Sequence, residues 1–134
     1  MTNAYMPPIK SDVHITPDRV WDMIKEKWGY EKEQFFDPCP VNPQWNGLDI
    51  DWKEMNFVNP PYSRQIGERK TLLAQFVDKA LKEKGTTVML LPSKTDQEWF
   101  HKIKEFDTIW IRGRLKFIGN EWSATQPHFL VKIN

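Results

Sequence analysis

The sequence predicts an α/β fold whose mostly parallel sheet ends in a C-terminal antiparallel strand. A buried strand, a helix and a second buried strand follow one another over residues 55–91, an order that implies a parallel pair with a right-handed crossover. Helix and strand patterns continue to alternate as far as a last strand near residues 128–133. The 134 residues are the usual size of one domain, so we predict a single domain over residues 1–134.

The N-terminal part is predicted to be an extended arm followed by a helix. Residues 1–15 contain two adjacent prolines and no sustained periodicity. Thr16 has the character of an N-cap, and Pro17 suits the first helical position. We expect a helix over about residues 17–28, whose apolar face comprises Val20, Trp21, Ile24 and Trp28.

A short strand at residues 33–36 is expected to open into a long irregular loop. It runs into Asp37-Pro38-Cys39-Pro40, and residues rich in Pro, Asn and Gly continue to Trp52. A loop of this length in a small domain is usually functional or disordered.

The strand–helix–strand unit has clear boundaries. Residues 55–58 form an apolar run that stops at two prolines, which cannot continue a hydrogen-bonded ladder. Residues 69–84 carry apolar side chains at helical spacing, and residues 86–91 form a buried strand. Beyond this unit we expect a helix near 95–105, a strand near 107–112, a turn-rich ribbon through Gly113 and Phe117, and a last strand near 128–133.

Composition limits the classes of function. Lys and Arg number 19 against 18 Asp and Glu, so any nucleic-acid surface must be a local patch. No apolar run is long enough for a membrane span or a signal peptide, and the single Cys39 fits a reducing compartment. His14, His101 and His128 lack metal-ligand spacing, so we predict no metal site.

The segment with the most chemical content is Asn59-Pro60-Pro61-Tyr62, which we call the Asn-Pro-Pro-Tyr loop. It follows a predicted strand at the sheet edge where open α/β sheets bind ligands. Pro61 favours an extended Pro60, so the Pro60 carbonyl is expected to remain an acceptor beside the Asn59 side-chain oxygen. Two acceptors and an aromatic ring suit an amino group on a flat heteroaromatic ring, such as adenine.

Such a loop can assist methyl transfer to this nitrogen. The nitrogen is a weak nucleophile, and two acceptors for its hydrogens favour a pyramidal amine with an available lone pair. A sulfonium methyl group is a strong electrophile, so the remaining task is alignment of the reacting atoms. A proline-rich turn with a packed tyrosine is the competing interpretation, and the position after a buried strand favours function.

Several segments of the chain, taken in order, carry a resemblance to a known family. They are Ile15-Thr16-Pro17 with Trp21, Phe36-Asp37-Pro38, Asn46-Gly47-Leu48 with Trp52, residues 57–63, Leu90-Leu91-Pro92 with Thr95-Asp96, Trp99-Phe100-His101, and Gly113-Arg114-Leu115-Lys116-Phe117. Together they resemble the phage-type, or Dam-like, DNA N6-adenine methyltransferases, which are amino-methyltransferases with an Asn-Pro-Pro-Tyr motif.

The resemblance implies an abridged Rossmann-like methyltransferase fold, S-adenosyl-L-methionine as cofactor, and DNA with a flipped adenine as partner. The catalytic residues would be Asn59, Pro60, Pro61 and Tyr62. The cofactor-binding residues would be Thr16, Pro17, Asp37, Pro38, Asp49 and Asn59. The DNA-binding residues would be Ser63, Arg64, Arg69, Lys94, Arg114 and Lys116. The expected setting is the cytoplasm of a prokaryote or a phage-infected cell, and a homodimer stays open.

Structural interpretations compete for several of these residues. Asp37 could start an Asx turn before Pro38, and Thr16 could cap the first helix. Asp49 could be a solvated loop carboxylate. The basic residues could be scattered surface cations.

The sequence departs from the wider methyltransferase pattern between Pro40 and Asn59. The glycine-rich loop of that pattern is missing, and residues 41–58 cannot house two full βα units. We therefore expect the irregular loop to hold the adenosine half of the cofactor, by stacking on Trp45 or Trp52.

Two further functions compete with DNA methylation. The same loop serves enzymes that methylate RNA or a glutamine amide in protein. An abridged domain could also have become a DNA-binding module that lacks the cofactor.

Overall fold

The computed structural model describes residues 15–40, 45–119 and 123–134. Most of the predicted arm over residues 1–15 lies outside these ranges. In chain order the described elements are helix α1 (Asp18–Trp28), a 3-10 helix (Lys32–Gln34), strand β1 (Met55–Val58), helix α2 (Leu72–Lys82), strand β2 (Thr86–Pro92), helix α3 (Glu98–Ile103), strand β3 (Asp107–Trp110) and strand β4 (His128–Ile133).

The strands of the described chain form one mixed sheet in the order β1-β2-β4-β3. β1 and β2 are parallel and joined through α2, which confirms the predicted strand–helix–strand unit. β4 is antiparallel to both β2 and β3, which confirms the antiparallel C-terminal strand. The expectation of a mostly parallel sheet holds for strand direction, because β1, β2 and β3 run the same way. It is wrong for strand pairing, because β4 lies between β2 and β3 and makes both of its pairings antiparallel.

Helices cover both faces of the sheet. On one face α2 and α3 pack against strand residues such as Val58, Met89 and Leu91. On the other face α1 and the ribbon after β3 pack against residues such as Phe57, Val88 and Leu90. Successive residues of β2 therefore point to opposite cores, as strand geometry requires.

Helix α1 ends at the predicted residue, Trp28, but begins one residue later than predicted. Pro17 is the N-cap, and the cap makes no side-chain hydrogen bond. The expectation of Thr16 as N-cap is wrong, because its hydroxyl is engaged by the Asn59 side chain. The C-terminus follows the usual rule, since Gly29 adopts a φ of 78° and its N–H donates to the Lys25 carbonyl.

The predicted strand at residues 33–36 is also wrong in part. Reciprocal hydrogen bonds between Glu31 and Gln34 form a capping box, which stabilises the 3-10 helix instead. Phe36 alone pairs with the sheet, through a parallel bridge to Asn56.

The remaining differences are shifts of helix and strand ends. Helix α2 begins at Leu72 rather than residue 69, because the Thr71 side chain accepts a hydrogen bond from the Ala74 N–H and caps the helix there. α3 and β3 are shorter than predicted, whereas β4 has the predicted bounds. None of the helices in the described ranges is long and apolar enough to cross a membrane.

Candidate active site

The Asn-Pro-Pro-Tyr loop lies at the carboxyl edge of β1, as predicted. β2 ends at this edge, and β4 begins there because Pro92 of β2 pairs with His128 of β4. Both prolines of the loop are buried. Among the described residues, no backbone N–H donates to the Pro60 carbonyl.

The Asn59 carboxamide is oriented by Thr16. Its Nδ2 donates to the Thr16 Oγ1 at 3.3 Å, and its Oδ1 is buried. Because Nδ2 points to Thr16, Oδ1 occupies the other branch of the carboxamide. Thr16, predicted near the cofactor, is thereby placed beside Asn59, and Pro17 follows it in the chain.

The Tyr62 hydroxyl is held by a buried histidine that was missed as a site residue. It lies 2.7 Å from Nε2 of His128, which is 2% exposed. Nδ1 of His128 lies 3.1 Å from the Gln126 carbonyl, which can only accept, so Nδ1 carries the proton. In the neutral imidazole Nε2 is then the acceptor, and the Tyr62 hydroxyl donates to it. The Phe117 and His128 rings also pack edge to face, with their centroids 5.3 Å apart.

A sequence signal for His128 existed. It is the first residue of the predicted last strand, and an antiparallel strand begins at the edge where its parallel neighbours end. The spacing of the three histidines along the chain, which lacks a metal-ligand pattern, does not point to this role. No group of three His, Cys, Asp or Glu side chains within residues 15–40, 45–119 and 123–134 could hold a metal ion.

Asp37 lies at the same edge as the Asn-Pro-Pro-Tyr loop. The Phe36 N–H donates to the Met55 carbonyl and the Phe36 carbonyl accepts from the Phe57 N–H, so Asp37 follows a residue in register with β1. Its Oδ1 accepts from the Cys39 N–H at 2.8 Å, which confirms the Asx turn.

Burial raises the pKa of the Asp37 carboxyl to about 6, against the opposing effect of the Cys39 N–H. The residue as a whole is nevertheless exposed, so Asp37 can be reached by a ligand from solvent. Burial, helped by the Asp37 charge, raises the pKa of the Cys39 thiol to about 12 and keeps it protonated near neutral pH.

The irregular loop between Pro38 and Trp52 is organised by its two tryptophans. Trp45 stacks on Phe36 at 6.3 Å, and its Nε1 donates to the Pro38 carbonyl at 3.0 Å. Trp52 is 8% exposed and stacks on Phe76 beneath α2. Cofactor stacking on Trp52 is therefore wrong, because this ring belongs to the core.

The same loop contains two further points of interest. Gly47 packs so closely that an added Cβ would lie 2.3 Å from the Pro38 carbonyl oxygen. Asp49 is exposed, and its N–H closes a turn onto the Asn46 carbonyl.

The predicted DNA-binding residues fall into two groups. Ser63, Arg64 and Arg69 continue the Asn-Pro-Pro-Tyr loop, and both arginines line a cavity of about 270 Å³ beside the N-termini of α2 and α3. Lys70 and Lys102 line it too, but each forms an ion pair with Asp78, at 2.7 and 2.9 Å. Although burial opposes it, these hydrogen bonds lower the pKa of the Asp78 carboxyl.

The second group lies beyond β2. Lys94 is half-buried two residues after β2. Arg114 donates to the Thr125 carbonyl, and Lys116 is exposed next to Phe117, which contacts His128.

Comparison with known proteins gives one clear match. A family model described as DNA N-6-adenine-methyltransferase (Dam) matches residues 4–128. No curated protein and no solved structure matches this chain.

Proposed function

The chain belongs to the DNA N-6-adenine-methyltransferase (Dam) family and is an adenine-specific DNA methyltransferase, and we propose that the Asn-Pro-Pro-Tyr loop is its catalytic loop. The observation that carries this proposal is that both polar side chains of the loop are held from outside it. Thr16 orients Asn59, and His128 orients Tyr62. Groups fixed in advance suit catalysis because they need no reorganisation as charge develops.

Asn59 and Pro60 are proposed to receive the amino group of the adenine. The carboxamide turns its nitrogen to Thr16, so Oδ1 is the atom that would accept one amino hydrogen, and the Pro60 carbonyl would accept the other. The nitrogen becomes positive as it gains the methyl group, so both hydrogen bonds strengthen along the reaction. They therefore stabilise the transition state more than the ground state.

Tyr62 is proposed to support the adenine ring after it leaves the duplex. A flipped base loses its stacking neighbours, and an aromatic face replaces part of that contact. The His128 hydrogen bond limits rotation of the Tyr62 ring. Pro61, which is buried, fixes the spacing between Pro60 and Tyr62.

S-adenosyl-L-methionine, the methyl donor that the family implies, would supply an electrophilic methyl group, and the residues on this side fit it. A desolvated carboxylate such as Asp37 gains from a cationic neighbour, and the donor carries an ammonium group. Thr16 and Pro17 lead into the N-terminus of α1, which favours a carboxylate. Pro38 would border the methionine part, and Asp49 would bind ribose hydroxyls.

The sheet supports an abridged Rossmann-like fold for this reaction. The candidate residues gather beyond the carboxyl ends of β1 and β2, where open α/β sheets bind ligands. DNA would lie across Ser63, Arg64 and Arg69 on one side of the flipped base. Lys94, Arg114 and Lys116 would meet the backbone on the other side.

Methyl transfer in vitro tests the catalytic assignment. Duplex DNA is incubated with S-adenosyl-L-methionine, and N6-methyladenine is quantified by mass spectrometry. We expect Asn59→Ala to lower kcat by about 10²–10³-fold, the usual cost of losing one preorganised polar contact. Asn134→Ala, at the exposed C-terminus, is the control and should match the wild type. An undiminished rate in Asn59→Ala would overturn the assignment.

A further inference from the structure

We propose that Ile66 is a wedge that enters the DNA duplex next to the target adenine and fills the space the flipped base leaves. The proposal rests on the proposed function, in which adenine leaves the duplex to reach the Asn-Pro-Pro-Tyr loop. It assigns a role to a residue outside the catalytic motif.

Ile66 is the tip of a tight turn. The Glu68 N–H donates to the Gln65 carbonyl at 3.1 Å, and Gly67 adopts a φ of 85°. Among the described non-glycine residues only Asn134 has a positive φ, so the positive angle lies at the third turn position alone, as in a type II turn. Ile66 then occupies the outer corner, and its side chain is 100% exposed.

The turn is carried by a loop with fixed ends, which we call the wedge loop (residues 63–71). At its base the Leu72 N–H donates to the Ser63 carbonyl at 2.8 Å. Further out, Nη1 of Arg64 donates to the Arg69 carbonyl at 3.4 Å. These two hydrogen bonds connect the arms of the loop, so its tip is held in a fixed position relative to the body of the protein.

The charge around the tip suits a nucleic-acid backbone. Arg64 and Arg69 stand on the two arms, and both are exposed. The Lys70 charge is neutralised by its ion pair with Asp78, and the Glu68 carboxylate offsets part of the positive charge of the loop. The two arginines are therefore the cations best placed to contact phosphates on either side of the tip.

An isoleucine in this position has a physical use in DNA. Apolar side chains inserted between base steps compensate for unstacking, and isoleucine is one of the residues used as such wedges. Its β-branched side chain has few rotamers, so little entropy is lost on insertion. Tyr62, the proposed platform for the flipped base, lies four residues before Ile66 in the chain, which brings wedge and platform to the same part of the duplex.

The test compares two DNA substrates for each variant. One is a duplex that the wild type methylates, and the other has the same sequence with a mismatch at the target adenine, which lowers the cost of flipping. We expect Ile66→Ser to lower kcat/KM on the paired duplex by about 10- to 100-fold and on the mismatched duplex by no more than about threefold. Ile66→Leu should retain both rates.

Two controls make the outcome specific. Ile118→Ser alters another exposed isoleucine and should leave the ratio of the two rates unchanged. With 2-aminopurine at the target position, Ile66→Ser should also reduce the fluorescence rise that accompanies flipping. Because Ile66 has no buried surface, its variants should unfold at the wild-type temperature.

The result also separates this inference from the proposed function. If Ile66→Ser loses activity equally on both duplexes, or on neither, the wedge is overturned while the catalytic loop stands. The same holds if Ile118→Ser changes the ratio as strongly. If Asn59→Ala methylates both duplexes at the wild-type rate, the catalytic assignment fails first.

Discussion

The two sides of the proposed active site are built in different ways. On the adenine side, the Asn-Pro-Pro-Tyr loop continues a strand of the sheet, and its polar side chains are held by Thr16 and by the first residue of β4. On the cofactor side, Asp37 follows a single bridge to β1, and the loop beyond it depends on stacked tryptophans and a glycine contact. The proposed adenine side is thus held by the sheet, whereas the proposed cofactor side is held by a packed loop.

This difference makes the two sides separable by mutation. Changes on the adenine side should lower kcat with little effect on the Kd for S-adenosyl-L-methionine. Changes on the cofactor side should raise that Kd and leave the rate at saturating cofactor nearly intact. Variants at Tyr62, Gly47, Asp37 and Trp45 test this division, and any variant that moves both parameters equally would break it.

Within this set the largest effect is expected at Tyr62, which His128 supports. Tyr62→Ala should lower kcat/KM for DNA by about 10- to 100-fold, because base stacking on an aromatic ring is lost. Tyr62→Phe and His128→Gln each remove or weaken one hydrogen bond, so each should cost about three- to tenfold.

A double-mutant cycle decides whether His128 acts through the tyrosine. If it does, adding His128→Gln to Tyr62→Phe should cost no more than Tyr62→Phe alone. Full additivity would show that His128 acts by another route. Thermal unfolding of each variant separates a positioning role from loss of the fold.

The next effect is expected at Gly47. An alanine there would meet the Pro38 carbonyl oxygen at 2.3 Å, so the loop must shift, and we expect the cofactor Kd, measured by calorimetry, to rise about tenfold or more. Gly85→Ala is a matched control, because its Cβ would meet the Lys53 carbonyl oxygen at the same 2.3 Å but at the amino end of β2. It should lower the unfolding temperature without changing the cofactor Kd.

Asp37 predicts a dependence on pH. Its pKa of about 6 means that the carboxylate is ionised above that pH and neutral below it, so affinity for the cofactor should fall as the pH drops through 6. Asp37→Asn keeps an acceptor for the Cys39 N–H, yet it should bind the cofactor about tenfold more weakly near about pH 8. The variant's affinity should not change across this pH range, and a wild-type slope in it would exclude Asp37 as the cause.

The same pKa has an effect of opposite sign on stability. A carboxyl whose pKa is raised in the folded state binds its proton more tightly in the folded protein than in the unfolded chain. The free energy of unfolding therefore falls as the pH rises from the ordinary pKa of the carboxyl to about 6. Without cofactor, Asp37→Asn should therefore unfold at the same temperature as the wild type or a higher one near about pH 8. A lower temperature would contradict this account.

The smallest effect is expected at Trp45. Trp45→Phe retains a ring for stacking on Phe36 but removes the Nε1 hydrogen bond to the Pro38 carbonyl. We expect the cofactor Kd to rise about two- to fivefold, in line with one net hydrogen bond. Trp110→Phe, on the edge strand β3, should leave the Kd unchanged.

Local patterns were sufficient to predict the strand–helix–strand unit and the last strand. β1, β2 and β4 are buried apolar runs with clear stops, so periodicity and prolines define them. The placement of the Asn-Pro-Pro-Tyr loop at the carboxyl edge follows from the same unit. Strand order does not, because nothing local specifies that β4 lies between β2 and β3.

The misses share a physical reason. Thr16 satisfied every local rule for an N-cap, yet its hydroxyl contacts a residue 43 positions away. His128 meets Tyr62 across 66 positions, and Trp52 is buried by a helix that comes later in the chain. Where a long-range partner competes with a local role, the sequence shows only the local role.

The bridge at Phe36 also bears on how copies of this enzyme behave in a crowded cell. Within the described chain β1 is one of the two edge strands of the sheet, and such strands can recruit another chain by extending the sheet. Here the backbone of Phe36 already hydrogen-bonds to the Met55 carbonyl and the Phe57 N–H on that edge, and β1 is only four residues long. The one-residue bridge thus leaves less of this edge open to pairing with another chain.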